Sequence, residues 1–248
     1  MNDVLDKLKN EVKEFSTKNR PSFYDYFAPE LSYSKETFFD HPLILRCSED
    51  VIPFLYDEFG HGIEHSKNVA IESGAIILAE LYQTNLKLGR HLVVLAQLAG
   101  LLHDICRMEE DHAVQGANLS FTILKDFPLS DTDKQMISFA IENHEAFKND
   151  IPAPDYNFEL LSGALYDADK FRWGPDNFVT TLWEICDYQD WSMQMILERF
   201  PKAFEIINSI SDTFKTPTGQ IYGPEFIDIG LELGNYLYRR MKQICYSE

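Results

Sequence analysis

Six of the chain's seven histidines fall between residues 61 and 144, among them His61, His65, His103, His112 and His144. His103 is followed by Asp104, directly after the apolar run Leu92-Val-Val-Leu-Ala-Gln-Leu-Ala-Gly-Leu-Leu102. A carboxylate beside an imidazole at the end of such a run is costly to bury unless it is paired or coordinates a metal. The dipeptide therefore reads as a metal anchor, and the other histidines are its candidate partners.

Taken singly, each candidate has an ordinary reading beside the functional one. His65 sits early in a helical stretch, Glu64-His65-Ser66-Lys-Asn-Val69, where a lone histidine is commonly a surface or core residue. His103 could simply face a helix C-terminus, stabilised by the dipole, with Asp104 in solvent. His112 follows Glu109-Glu110-Asp111, acids that read as complements to a helix N-terminus. His144 closes a helix in Glu142-Asn143-His144-Glu145. His61, four residues before His65, either faces the same pocket as a proton donor or merely packs. Asp169 stands in Tyr166-Asp-Ala-Asp-Lys-Phe171, where Asp167 and Asp169 point to different faces; too few acids and no glycine exclude a calcium loop.

The ordered set is more specific than its members. The segments Glu64-His65-Ser66-Lys-Asn-Val-Ala70, Ala99-Gly-Leu-Leu-His-Asp-Ile105 and Asp167-Ala-Asp-Lys170 resemble the HD superfamily of metal-dependent phosphohydrolases over roughly residues 60–171. The resemblance implies a helical bundle holding His65, His103, Asp104 and Asp169 around one divalent ion. In some HD subfamilies later histidines bind a second ion, with the HD aspartate bridging both, and His112 and His144 occupy plausible positions for that. The doubled histidine and Gly-Tyr-Pro motif of the subfamilies that cleave cyclic dinucleotides are missing, which disfavours that substrate.

Imidazoles mixed with carboxylates suit Mn, Fe, Co, Ni or Zn, as one or two ions per chain. Such an ion would acidify a bound water and polarise a phosphoryl oxygen, and cations should stand where phosphate charge develops. Arg107, three residues past Asp104, and Lys170 and Arg172, flanking Phe171, are the candidates. The expected reaction is hydrolysis of a small phosphorylated compound such as a nucleotide, as a monoester or a diester. Two other readings stay open: a di-iron oxygenase on the same fold, like myo-inositol oxygenase, and a non-catalytic metal-binding regulatory module. There is no GxxxxGK[ST] loop, GxSxG elbow or HExxH helix. The segment Phe171-Arg-Trp-Gly-Pro-Asp-Asn-Phe178 could stack a base or simply join two helices.

These residues need a rigid frame, and the composition supplies one. The 248 residues are 45% hydrophobic and 13% aromatic, enough for a sizeable core. Forty acidic against 22 basic residues give a net charge of −18, a field that disfavours nucleic acid or an anionic membrane as main partner. A local metal can still reverse the sign of one pocket. Four cysteines without a CxxC read as free thiols of a reduced cytosol. No apolar stretch approaches the ~20 residues of a spanning helix, and Met1 to Asn10 is too polar for a secretory signal. A cytoplasmic protein is expected; its oligomeric state is not legible.

Hydrophobic spacing predicts helices over 2–16, 63–82, 88–105, 111–126, 131–144, 156–171, 176–186, 192–210 and 224–245. Ser48 should cap a further short helix, and residues 17–47 read as a loop-rich wrap. Thr216-Pro-Thr-Gly and Tyr222-Gly-Pro read as loops. No stretch alternates with period two. The expectation is one all-α domain: an HD core at about 60–171, an N-terminal extension 1–59 and C-terminal helices 172–248.

Overall fold

The computed structural model describes residues 2–55, 62–82, 84–149 and 151–246. Among them there is no strand, and the class is all-α. The helices in order are α1 (Asn2–Lys18), α2 (Phe23–Tyr26), α3 (Ala28–Asp40), α4 (Pro42–Val51), α5 (Ile63–Leu81), α6 (Leu86–Leu102), α7 (His112–Ile123), α8 (Asp131–Glu142), α9 (Tyr156–Phe171), α10 (Leu182–Gln189), α11 (Met193–Ile210) and α12 (Pro217–Tyr246). A 3-10 turn, Ile52–Phe54, follows α4, and a π-helical stretch, Asn177–Thr181, precedes α10. None of these helices is long and apolar enough to cross a membrane.

The centre of the bundle is the pair α5–α6, and both helices are apolar nearly all round. Val69, Ala70, Ile76 and Ile77 on one and Leu92, Leu95, Leu98 and Leu102 on the other are fully buried. A helix buried on every face belongs in the interior. The two approach so closely that a Cβ on Gly100 would stand 2.6 Å from the Ala70 Cα. Glycine is required there because the backbones themselves are in contact. Helices α8 and α9 pack against this pair and α7 packs on α8, which is started by a capping box between Ser130 and Asp133.

Several boundaries differ from the sequence expectation, each for a physical reason. Residues 17–47 are not a loop-rich wrap; they hold α2, α3 and the start of α4. Helix α3 meets α5 through Ser34, whose Oγ would lie 2.3 Å from a Cβ on Gly74 and donates to the Ile71 carbonyl at 2.6 Å. With a buried serine between Leu31 and Phe38, the apolar stripe of this helix is interrupted. Ser48 is not a cap but lies inside α4, which begins with Pro42 and with the His41 ring accepting from the Leu43 N–H. Thr216-Pro-Thr-Gly and Tyr222-Gly-Pro are not loops: α12 starts at Pro217 and runs through Pro224, held by buried Phe226, Ile227 and Leu233. Its start is pinned by Asp167, which accepts from the backbone N–H groups of Lys215 and Thr216 and from the Thr216 hydroxyl, at 2.7–2.8 Å.

In the aromatic segment 171–178 the two phenylalanines are buried packing residues. Phe171 stacks on Phe226 with centroids 4.0 Å apart, and Phe178 stacks on Phe200.

Candidate metal centre

The Gly100–Ala70 contact sets the position of the first donors. His65 lies five residues before Ala70 on α5, and His103 lies three residues after Gly100, just past the end of α6. At ~1.5 Å per residue both leave the crossing in the same direction on antiparallel helices. Their Nε2 atoms meet at 3.2 Å. Helix α9 brings Asp169 from its last turn, with Oδ1 3.3 Å from His65 Nε2 and 3.8 Å from His103 Nε2.

Asp104 completes this group and opens a second. Its Oδ2 is 3.6 Å from His65 Nε2 and 3.3 Å from His103 Nε2. Its Oδ1 faces the other way, 3.7 Å from His112 Nε2 and 3.6 Å from His144 Nε2. Those two nitrogens are 3.3 Å apart. His112 is the first residue of α7, and His144 follows the end of α8. The side chains of Asp104, His103 and His144 are almost wholly buried.

The donor chemistry fits a metal. Donors about 2.1 Å from one ion lie about 3.0–3.5 Å from each other, close to the separations in each group. His103 Nδ1–H donates to the Gly100 carbonyl at 2.8 Å, and His144 Nδ1–H to the Ile141 carbonyl at 2.6 Å. These bonds fix the tautomers, so the Nε2 lone pairs face the carboxylate. Burial, the nearby His144 and Arg107 together push His112 down to about 4, so its imidazole is neutral near pH 7. Burial works against ionisation of Asp169, but Lys170 and His65 outweigh it and hold the carboxyl well below its usual range. Two buried groups, His65–His103–Asp169 and Asp104–His112–His144, could therefore each hold an ion.

The three cations named from the sequence are placed differently. Arg107 is at the centre: its Nη1 is 3.0 Å from His112 Nε2 and 3.8 Å from Asp104 Oδ1, and its side chain is 40% exposed. Lys170 is buried, donating to Asp169 Oδ2 at 2.5 Å and to the His144 carbonyl at 3.0 Å. It positions ligands rather than facing a pocket. Arg172 is committed elsewhere, paired with Glu72 and Asp176 and donating to the Tyr24 hydroxyl at 3.0 Å. His61 lies outside the described residues. The acids before His112 do not enter the first turn of α7; Asp111 precedes it in a left-handed conformation (φ 53°) without a side-chain cap bond.

Sequence reading missed Glu72. It stands two turns after His65 on α5, accepts from the Tyr24 hydroxyl at 2.7 Å and, with Arg172, locks α2 and α5 to the end of α9. The available signal is a lone carboxylate among the otherwise uncharged, mostly apolar residues 69–78.

Searches against protein-family models, curated proteins and solved structures each find no match to this chain. What can be argued about its activity rests on the motif residues and on the geometry they form.

Proposed function

We propose that the chain is a metal-dependent phosphohydrolase of the HD type, acting on a small phosphorylated substrate such as a nucleotide. The observation that carries this reading is the shared carboxylate, with Asp104 Oδ2 turned to His65 and His103 and Oδ1 to His112 and His144. Four imidazoles and two carboxylates favour Mn, Fe, Co, Ni or Zn over an ion that prefers oxygen alone. Bound there, such ions would bring the pKa of a coordinated water toward about 7 and act as Lewis acids on a phosphoryl oxygen. The chain's own part is to fix the donors and meet the phosphate. Lys170 holds Asp169 and the His144 backbone, and Arg107, partly in solvent beside the centre, is the cation placed to take phosphoryl charge. A net charge of −18 argues against nucleic acid as partner. The four free cysteines agree with a cytoplasmic location.

The test is a metal count on protein purified without added metal, followed by phosphate release from mononucleotides and sugar phosphates with Mn, Co, Ni, Fe and Mg. Turnover that follows metal content supports the reading. Protein that retains metal and turns over nothing overturns it.

The same donor set also suits iron, which supports a di-iron oxygenase as second reading. Two irons per chain with oxygen consumption would favour it, and a non-iron metal would remove it.

A further inference from the structure

Arg107 stands where the second ion's ligand should be free. Its Nη1 lies 3.0 Å from His112 Nε2, the nitrogen that also faces His144 Nε2 and Asp104 Oδ1. A guanidinium has only N–H donors, so this contact uses the one in-plane lone pair of that nitrogen. The same lone pair cannot at once accept from Arg107 and bind a metal. A dication among His112, His144 and Asp104 Oδ1 would also meet a fixed positive charge at close range. The guanidinium and the second ion therefore exclude each other at His112.

Arg107 has somewhere else to go. Its side chain is 40% exposed and, in contrast to Arg172, has no short ion pair with a carboxylate among the described residues: Asp104 Oδ1 is 3.8 Å away. Its backbone N–H is fixed to the Asp104 carbonyl at 2.9 Å, so the side chain can swing while its root stays beside the centre. The partner that best draws a guanidinium outward is a phosphate, which accepts two parallel N–H bonds. A monoester's terminal phosphoryl group has three free oxygens, enough for that fork and one more for an ion. A diester has only two.

We infer that Arg107 couples the second metal subsite to a phosphomonoester: the terminal phosphate draws the guanidinium away from His112 and thereby opens that subsite to the ion. This rests on the phosphohydrolase reading above and narrows its substrate class. By linkage the effect is reciprocal, so the second ion must raise phosphate affinity by the same factor.

The experiment measures Mn2+ bound per chain by equilibrium dialysis at buffered free Mn2+. It compares no addition, inorganic phosphate and dimethyl phosphate, in the wild type, Arg107→Ala and Arg107→Lys. In the wild type, inorganic phosphate should tighten the second Mn2+ by about 5- to 100-fold, the usual span of such couplings, and dimethyl phosphate should not. Arg107→Ala should bind the second ion more tightly than wild type without phosphate and show no phosphate effect. Arg107→Lys keeps the charge but loses the fork and reach. It should also release the subsite, which separates occupation of His112 from simple charge repulsion.

The inference is overturned if both variants bind the second ion no more tightly than wild type, if phosphate acts equally in all three proteins, or if dimethyl phosphate acts as strongly as phosphate. Wild-type protein that binds no ion under any condition would instead remove the metal-centre reading itself. Binding of two ions without phosphate linkage removes only the coupling.

Discussion

Gly100 and Ala70 touch backbone to backbone: a Cβ on Gly100 would lie 2.6 Å from the Ala70 Cα and 2.8 Å from its nitrogen. No side chain can yield there, so any added atom must push α5 and α6 apart. His65 and His103 sit just beyond the crossing, with their Nε2 atoms at 3.2 Å. Gly100→Ala should therefore cost about 1–3 kcal/mol by overpacking and also lower metal retention. Urea unfolding with a metal count on the same protein checks both. A stable variant with full metal content would show that the crossing does not set the site.

What could be read from the sequence divides along physical lines. Helices with a broad apolar face, such as 63–82 and 156–171, were legible almost to their ends, because burial dictates periodicity. So were the six residues that the structure gathers into two groups, the histidines His65, His103, His112 and His144 and the aspartates Asp104 and Asp169. Helix α3 was not legible, since its inner face of Leu31 and Phe38 is interrupted by Ser34, which docks against Gly74. The length of α12 was hidden by Pro217, Gly219, Gly223 and Pro224. Gly219 is needed because a Cβ there would meet Asp167 Oδ2 at 2.0 Å. The roles of Lys170 and Arg172 were hidden for a different reason. A cation near a metal motif looks the same in sequence whether it faces a substrate or holds a carboxylate.

Thiol reactivity tests the packing of the N-terminal helices on the core. Cys47 on α4 is fully buried, and burial together with Asp50 pushes its thiol up to about 12. At pH 8 only about one in 10,000 such thiols is ionised. Cys245 is partly exposed, and Cys186 is held at about 11 by burial and Asp187. A disulfide reagent on native protein should label Cys245 well before Cys47, and all four should react in urea. Early labelling of Cys47, read by peptide mass spectrometry, would mean that α4 is loosely docked.

Asp133 gives a pH prediction with a definite sign. Partial burial opposes its ionisation, but hydrogen bonds from His91 and Ser130 outweigh this and hold it below the usual 3.8. A carboxyl depressed on folding stabilises above its unfolded value and loses that contribution as pH falls through the folded one. Asp133→Asn also weakens the capping box of α8. It should cost about 0.5–1 kcal/mol at pH 7, and the gap to wild type should close toward pH 2. Denaturant titrations at both pH values measure it. An equal gap at both would point to lost packing instead.

Lys170 is buried with its ammonium between Asp169 Oδ2 and the His144 carbonyl. Lys170→Met keeps the length of the side chain but leaves a buried carboxylate without its cation. Breaking a buried pair from one side costs about 3–5 kcal/mol. Metal-stripped Lys170→Met should lose that much in urea unfolding, whereas a surface control, Lys202→Met, should stay within about 0.5 kcal/mol of wild type. Equal stability of the two would show that Asp169 finds another partner.

Asp104 and His112 should separate in a metal count because they serve different numbers of subsites. Asp104 offers Oδ2 to one group and Oδ1 to the other, whereas His112 faces only Oδ1 and His144. Asp104→Ala should strip both ions, since each group loses a carboxylate oxygen and retains fewer charges to balance a dication. His112→Ala removes one nitrogen of the second group and leaves His65, His103, Asp169 and Asp104 Oδ2 in place. It should therefore keep one ion per chain. Metal analysis after dialysis against chelator-treated buffer containing inorganic phosphate, which frees His112 from Arg107, reads both counts against a two-ion wild type. If His112→Ala also bound none, the two groups would form one indivisible site; if Asp104→Ala kept two, the shared carboxylate would not be a ligand at all.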